Sequence, residues 1–343
     1  MSSAGECGKL GIRNCLEMRK NMYYIADYKE NQKFYGIYLC KTKQVLRTKA
    51  GKTYYSMLFQ DKTGTIDAKI WDLNNGIDHF EAMDFVMVEG MITSFQGALQ
   101  VNVSRLRKAQ EGEYDPKDYI PSSPYDIEEM YQELKGYIDS IEEPHLRELT
   151  RSYYVDDAEF VKEFKVHSAA KSVHHGFVGG LLQHTLGVTR MCDFMAKNYP
   201  LLDRDLLITA AIFHDIGKMN ELSTFPTNDY TDAGQMLGHI FLGAEMVGNR
   251  AKQISGFPGK LLTELRHCIL AHHGELEYGS PKKPAIAEAI ALNFADNADA
   301  RLETITEIYQ KAEPTTEWLG FNRFVDSNVR QSSGTVEKRK QQQ

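Results

Sequence analysis

Residues 210–218 read AAIFHDIGK, an apolar helical run that contains two adjacent ionisable residues, His214 and Asp215. Burying such groups in an apolar helix is costly unless each has a partner. A bound cation is one partner, because an imidazole nitrogen and a carboxylate oxygen suit Mn²⁺, Fe²⁺ or Zn²⁺. A hydrogen bond within the core is the alternative. The segment therefore predicts a helical domain with either a metal site or a buried His–Asp pair.

Further histidines and an aspartate lie on both sides of this segment, on stretches of helical periodicity. Most of the 11 histidines of the chain fall between residues 167 and 273. Histidine is the commonest side-chain ligand of transition metals, so this clustering favours the metal interpretation. The additional candidate ligands, in chain order, are His184, His239, His272, His273 and Asp296.

These residues resemble the HD phosphohydrolase superfamily, whose signature is H…HD…D. His184, the His214–Asp215 pair and Asp296 match that signature in order. Two-metal members carry further histidines before the last aspartate, and the resemblance implies that His239, His272 and His273 form a second-metal set. The expected cofactor is two divalent transition-metal ions, manganese first, with iron, cobalt, nickel or zinc as alternatives.

The ligand types predict hydrolysis by metal-activated water. Two cations bridged by Asp215 would lie about 3.5–4 Å apart and lower the pKa of a bound water. Lys218 follows His214 by four residues on the same helix face, so it is expected either to contact a phosphate or to be a solvated surface lysine. Asp215 and Lys218 are the catalytic candidates. His175 and Asp299 are expected to hydrogen-bond the ligands or to contact substrate.

The N-terminal part of the chain shows a different periodicity. Residues 53–71, TYYSMLFQDKTGTIDAKIW, alternate apolar and polar side chains around a DKTG turn, and residues 85–106 predict a second hairpin. Five short strands in about 85 residues suit a small barrel, and the oligonucleotide-binding (OB) fold fits this count. Basic residues outnumber acidic ones over residues 31–110, whereas the reverse holds over residues 111–330.

Aromatic and basic side chains of the barrel are candidates for nucleic-acid binding, because bases stack on aromatic rings and phosphates attract cations. Trp71 shares strand parity with Thr65, Asp67 and Lys69, which predicts that it lies on the polar face. Packing within the barrel is the alternative for the aromatic residues. The nucleic-acid contacts predicted are Lys52, Tyr54, Lys69, Trp71 and Arg105.

Changes in composition and periodicity divide the 343 residues into two domains. The predicted fold class is multidomain α and β, with a small β-barrel (OB-fold) followed by an all-α HD domain. No stretch approaches the roughly 18 apolar residues of a membrane span. The five cysteines form no C-x-x-C pair and the N-terminus has no apolar signal region, so a cytoplasmic protein is expected. The predicted segments are an N-terminal extension (1–21), the OB-fold domain (22–110), a linker (111–125), the HD domain (126–315) and a disordered tail (326–343).

The order of the two domains, together with the runs SVHHGFVGGLLQHTLGV (172–188) and AHHGELEYGSP (271–281), resembles the YhaM-type 3′–5′ exoribonucleases. The resemblance implies single-stranded RNA as substrate, with single-stranded DNA as a second candidate, and a homo-oligomer is an open expectation. A phosphohydrolase acting on free nucleotides or cyclic dinucleotides is the alternative enzyme. A non-catalytic nucleic-acid-binding factor is the alternative outside enzymes.

Overall fold

The structure is a computed structural model that describes residues 24–341 apart from 74–75, 96–97, 116–117, 172–174 and 324. The predicted N-terminal extension, residues 1–21, lies outside the described residues. The chain divides into two compact units, of which the first ends at Ser122 and the second begins at Ser123. A barrel followed by helices confirms the predicted fold class.

The first unit is a closed five-stranded barrel in the order β1-β2-β3-β5-β4. All neighbouring strands are antiparallel except β3 and β5. Its interior is filled by buried apolar side chains, among them Phe59, Ile66 and Val101. These residues alternate along the strands with more exposed ones. The strands are β1 (Lys33–Arg47), β2 (Thr53–Asp61), β3 (Gly64–Ile70), β4 (Phe85–Phe95) and β5 (Ala98–Lys108).

Both predicted hairpins are present, as β2–β3 and β4–β5. In the β2–β3 turn, Asp61 Oδ1 accepts hydrogen bonds from the backbone N–H groups of Thr63 (2.7 Å) and Gly64 (3.2 Å). Asp61 Oδ2 also accepts from the backbone N–H of Ile25 at 2.6 Å. One buried carboxylate thus satisfies three backbone donors and ties the turn to the segment that precedes β1.

The segment predicted as a linker, residues 111–125, is packed against the barrel over much of its length. Tyr119 is buried in a small second core with Ile37 and Met87. Its backbone oxygen accepts a hydrogen bond from Gln60 Nε2 at 3.1 Å. The aromatic residues of this proline-bearing segment give it apolar area to bury, so it belongs to the barrel unit as far as Ser122.

The second unit is helical and is organised around one apolar core. Acidic or hydroxyl side chains cap several of its helices; Asp203, for example, accepts the backbone N–H of Leu206. Within the described residues, none of the helices has the length and apolar character that crossing a membrane requires. The helices are α1 (Ile127–Asp139), α2 (Pro144–Tyr154), α3 (Ala158–Phe164), α4 (Gly180–Asn198), α5 (Arg204–Phe213), α6 (Lys218–Glu221), α7 (Asp232–Ala251), α8 (Gly259–Ala271), α9 (Ala287–Lys311) and α10 (Ser333–Gln341).

The prediction of a disordered tail over residues 326–343 is wrong for the residues described there. A hairpin of β6 (Trp318–Asn322) and β7 (Ser327–Arg330) precedes α10. Val329 on β7 and Val336 on α10 are buried, and Arg339 Nη2 donates to the backbone oxygen of Ala312 at 2.9 Å. Two valines and a few hydrogen bonds order a segment whose composition alone is typical of disorder.

Candidate metal centre

Four predicted ligands from three parts of the helical unit meet in one cluster. His184 lies on α4, the His214–Asp215 pair directly follows α5, and Asp296 lies on α9. His184 Nε2 is 3.1 Å from His214 Nε2, 3.2 Å from Asp296 Oδ1 and 3.4 Å from Asp215 Oδ2. All four residues are buried or nearly so. We call this set the first cluster.

A second cluster consists of His239 on α7 with His272 and His273, which follow α8. One nitrogen from each ring lies within 4.8 Å of the other two. His239 Nε2 is 3.4 Å and His272 Nε2 is 3.7 Å from Asp215 Oδ1. The two carboxylate oxygens of Asp215 therefore face different clusters, which is the arrangement that a bridging carboxylate requires.

Three polar atoms between the clusters are buried and have no hydrogen-bond partner among the described residues: Asp215 Oδ1, His239 Nε2 and His272 Nε2. Leaving such atoms unpaired costs about 1–3 kcal/mol each, and more for a charged group. All three point toward the same space and all are electron-pair donors. Imidazole nitrogen with carboxylate oxygen is a donor set for divalent transition metals, so the residues present fit the expected ions.

Hydrogen bonds on the opposite side of each ring orient the ligands. The backbone oxygens of Ala211 and Ile269 lie 2.7 Å from Nδ1 of His214 and of His272. A carbonyl oxygen only accepts, so each Nδ1 carries the hydrogen and each Nε2 keeps its lone pair for a metal. Two rings are therefore held by their own helices.

Carboxylates hold the rings of His184 and His239. Asp299 Oδ2 lies 2.7 Å from His184 Nδ1, and Glu221 Oε1 lies 3.0 Å from His239 Nδ1. Asp299 is a predicted supporting residue, whereas sequence reasoning missed Glu221. The sequence offers no periodic signal for Glu221, because its contact with His239 joins two helices across an irregular loop.

Two glycines, which have no side chain, allow neighbouring atoms to come close enough for these contacts. A Cβ atom at Gly187 would lie 2.2 Å from Asp299 Oδ1. A Cβ atom at Gly217, in the HDIGK segment, would lie 1.9 Å from the backbone oxygen of His239. Both positions therefore require glycine for the clusters to form as they do.

The electrostatics of the site favour ionised carboxylates beside neutral rings at His214 and His272. Burial lowers the pKa of His184, but its hydrogen bonds to three carboxylates outweigh that effect and raise the pKa well above its ordinary value. Burial raises the pKa of Asp215, but the Lys218 ammonium and the His214 ring outweigh that effect and hold the pKa well below its usual range. Burial lowers the pKa of His272 well below its ordinary value, with His273 adding to the effect. Burial likewise lowers the pKa of His214. The charge on Asp215 is thus retained where a cation would bind.

Lys218 is predicted to share a helix face with His214, but α5 ends at Phe213 and Lys218 begins α6, with its Nζ 2.9 Å from Asp215 Oδ2. Burial lowers the pKa of Lys218, but the Asp215 carboxylate more than offsets this and raises it above its ordinary value. The side chain is therefore an ammonium that lines the site. It is not a solvated surface lysine, since only 17% of its side chain is exposed.

A cavity of about 340 Å³ opens onto the first cluster. Its lining includes the polar groups of His184, Asp215, Lys218 and Asp296 and the small side chains of Ala169, Ala170 and Ala300. His175, predicted to support ligands or touch substrate, also lines it, and its Nε2 lies 2.9 Å from Asp299 Oδ2. The cavity thus combines charged groups with small side chains in its lining.

The predicted nucleic-acid contacts on the barrel come together only in part. Tyr54 and Trp71 stack at 4.7 Å between ring centroids, and Trp71 remains 44% exposed. Lys69 Nζ donates to Ser56 Oγ at 2.6 Å on the same outer face, and exposed Lys52 directly precedes β2. Arg105 instead lies 4.0 Å from the carboxylate of Glu89 on β4.

The sequence of residues 181–301 matches the family model of the HD domain. The helical unit contains an HD domain. That domain indicates a metal-dependent phosphohydrolase, and every residue of the two clusters described above lies within the matched residues.

Several solved structures are similar to the barrel, with low overall scores. The second OB-fold domain of replication protein A from Methanococcus maripaludis is 18% identical, covers 26% of this chain and 95% of its own, and has a TM-score of 0.22. An OB domain from Thermoplasma acidophilum is also 18% identical, covers 25% of this chain and 85% of its own, and has a TM-score of 0.20. The OB-like assignment follows from the closed five-stranded topology.

Proposed function

We propose that this protein is a metal-dependent 3′–5′ exoribonuclease that hydrolyses phosphodiester bonds of single-stranded RNA. The observation that carries the proposal is Asp215, whose two oxygens face two separate histidine clusters at 3.4–3.7 Å. Such a bridging carboxylate suits a two-ion hydrolase. The 3′–5′ direction and the RNA preference rest on the sequence resemblance to YhaM-type enzymes.

When bound, two divalent ions would polarise a phosphodiester oxygen and make a water molecule a better nucleophile. His184, His214 and Asp296 would hold one ion with Asp215 Oδ2, and His239, His272 and His273 would hold the other with Asp215 Oδ1. In the hydrolysis, the water oxygen bonds to phosphorus, the P–O3′ bond breaks, and the shortened strand regains a 3′-hydroxyl.

Lys218 contributes a positive charge where the phosphate would lie. An ammonium has three N–H donors, of which one is directed to Asp215 Oδ2. Because Lys218 also lines the cavity, the remaining donors are available to a phosphate oxygen there. Charge that develops on that oxygen in the transition state is then stabilised by a group already in place.

The size of the cavity supports cleavage at a chain end. Its volume of about 340 Å³ is near the lower end of the roughly 300–1,000 Å³ found for small-ligand pockets. This space suits one nucleotide better than a long strand segment. The same size suits a free nucleotide, so the alternative of a nucleotide phosphohydrolase is tested alongside.

The barrel supports an elongated nucleic-acid substrate. The stacked Tyr54–Trp71 pair presents an exposed aromatic surface, with Lys69 on β3 and Lys52 directly before β2. Stacking on aromatic rings and attraction of phosphates by lysine are the usual basis of single-strand binding.

Incubating the purified protein with 5′-labelled single-stranded RNA and Mn²⁺ should give a ladder of labelled products shortened from the 3′ end. The same oligomer as DNA tests the sugar preference, and excess EDTA should stop both reactions. An RNA left intact by a preparation that hydrolyses free nucleotides or cyclic dinucleotides would replace this proposal with the alternative enzyme.

Trp71→Ala should weaken binding of single-stranded RNA by about 5- to 150-fold, because stacking of one base on an aromatic ring contributes about 1–3 kcal/mol. The loss should appear in KM or Kd, with kcat little changed, and can be measured by fluorescence anisotropy and steady-state assays. Trp318→Ala is the matched control, since Trp318 is 65% exposed on β6 of the helical unit. Equal RNA affinity in wild type and Trp71→Ala would remove this surface from substrate binding.

A further inference from the structure

Glu221 is a buried carboxylate at the end of α6 that contacts a predicted metal ligand from outside. Only 9% of the residue is exposed. Its Oε1 lies 3.0 Å from His239 Nδ1 and also accepts the backbone N–H of His239 at 3.0 Å. One carboxylate oxygen therefore fixes both the ring and the main chain of this histidine.

The backbone at this point needs such a tether. Helix α7 is broken at Gly238, whose φ of 73° and ψ of 156° are not helical, and His239 is the next residue. The backbone oxygen of Glu221 accepts the N–H of Thr231, the residue that caps α7. Glu221 thus makes two contacts with α7. Its backbone oxygen bonds Thr231 at the start of the helix, and its side chain holds His239 just after the break.

The four rings that face Asp215 differ in how they are oriented. His214 and His272 each bond to a carbonyl oxygen three residues earlier in the chain, so helix geometry positions them. His239 follows a break in its helix, and a separate element orients its ring. The position of the His239 ring therefore depends on one side chain, whereas helix geometry fixes the rings of His214 and His272.

We infer that Glu221 is a positioning residue for the metal ion of the second cluster, an inference that rests on the two-ion centre of the proposed function. A carboxylate that accepts from Nδ1 leaves Nε2 as the ligating nitrogen and makes the ring more basic. Here it holds Nε2 at 3.4 Å from Asp215 Oδ1, on the side facing His272. The first cluster is oriented separately, by Asp299 through His184.

The consequence is selective: loss of Glu221 should weaken one ion and spare the other. Glu221→Gln keeps the size of the side chain and a carbonyl oxygen but removes the negative charge. Equilibrium dialysis of the full chain against Mn²⁺ should show one of the two dissociation constants raised by about 10- to 100-fold. The other constant should stay at the wild-type value.

Electron paramagnetic resonance gives a second readout that a purely structural role would not move. Wild type with two bound Mn²⁺ ions should give an exchange-coupled signal. Glu221→Gln at the same Mn²⁺ concentration should give a single-ion signal, and the coupled signal should return when more Mn²⁺ is added. Glu221→Asp keeps the charge with a shorter reach and should give the same selective loss, which covers a failure of the glutamine variant to fold.

Glu288→Gln is the matched control. Glu288 is 8% exposed and its Oε1 accepts the backbone N–H of Asp203 at 2.8 Å, so it is another buried glutamate bonded to a backbone donor. Its Mn²⁺ binding should equal that of wild type. Asp299→Asn is the mirror variant and should weaken the other ion.

Wild-type affinity for both ions in Glu221→Gln would overturn the inference, as would equal loss of both ions or the same loss in Glu288→Gln. These outcomes leave the two-ion centre intact. A wild-type chain that binds fewer than two ions would overturn the two-ion centre itself, and the role of Glu221 with it.

Discussion

Asp215→Asn should lower kcat by about a thousandfold or more while the helical unit stays folded. One oxygen of Asp215 faces the first cluster and the other faces His239 and His272. An asparagine side chain keeps one oxygen but replaces the other with an NH₂ donor and carries no charge. Losing a bridging ligand in this way should cost several kcal/mol of transition-state stabilisation, and about 1.4 kcal/mol corresponds to a tenfold change in rate.

The measurements are turnover on labelled RNA and metal content, with circular dichroism to check folding. Asp193→Asn is a suitable control, because Asp193 is a buried aspartate on α4 that pairs with Lys197 and Arg204. It should lower stability and leave kcat and metal content near wild type. Near-wild-type turnover of Asp215→Asn with both ions bound would show that the site is organised around other ligands.

Removal of the metal should abolish hydrolysis entirely, and re-addition of Mn²⁺ should restore it. Elemental analysis of the native protein should find up to two transition-metal ions per chain. The metal-free protein should also melt at a lower temperature, since a ligand that binds only the folded state stabilises it by about 2.7 kcal/mol at 100 times its Kd. The reason is that bound ions would give partners to three buried atoms, Asp215 Oδ1, His239 Nε2 and His272 Nε2, which otherwise have none among the described residues.

Calorimetry with and without EDTA, followed by dialysis into Mn²⁺, Zn²⁺ or Mg²⁺, measures both effects. Mg²⁺ serves as the control ion, because it prefers oxygen ligands and binds weakly to histidine clusters. Full activity in excess chelator, with no metal detected, would refute the metal centre.

Much of the centre follows from the order and types of residues in the sequence. A His–Asp pair in an apolar helix needs a partner. Further histidines on neighbouring helices indicate that this partner is a metal ion. The sequence analysis also predicts that Asp215 bridges two ions, but the direction in which each Asp215 oxygen points depends on how α4, α7 and α9 pack around it, which no local pattern encodes. Glu221 is invisible for the same reason, since its partner His239 is reached only after the chain has folded back.

In the barrel, too, local sequence patterns predict some side-chain positions, whereas others depend on how the strands pack. The alternation of β3, continued to the residue after its end at Ile70, places Trp71 on the outer surface, where it is exposed, because strand parity is a local property. Arg105 lies beside Glu89, next to a register shift between β4 and β5 at Glu89 and Gly90. Such a bulge changes which side chains become neighbours without leaving a clear sequence signal.

The scattering of the ligands over α4 to α9 also has a consequence for biosynthesis. The barrel has its own core and is complete once Ser122 has been added, so it can fold while the ribosome is still translating the rest. The first cluster lacks Asp296 until α9 has been synthesised. A nascent chain with a finished barrel therefore still lacks part of the first cluster, which is complete only after α9 has been synthesised.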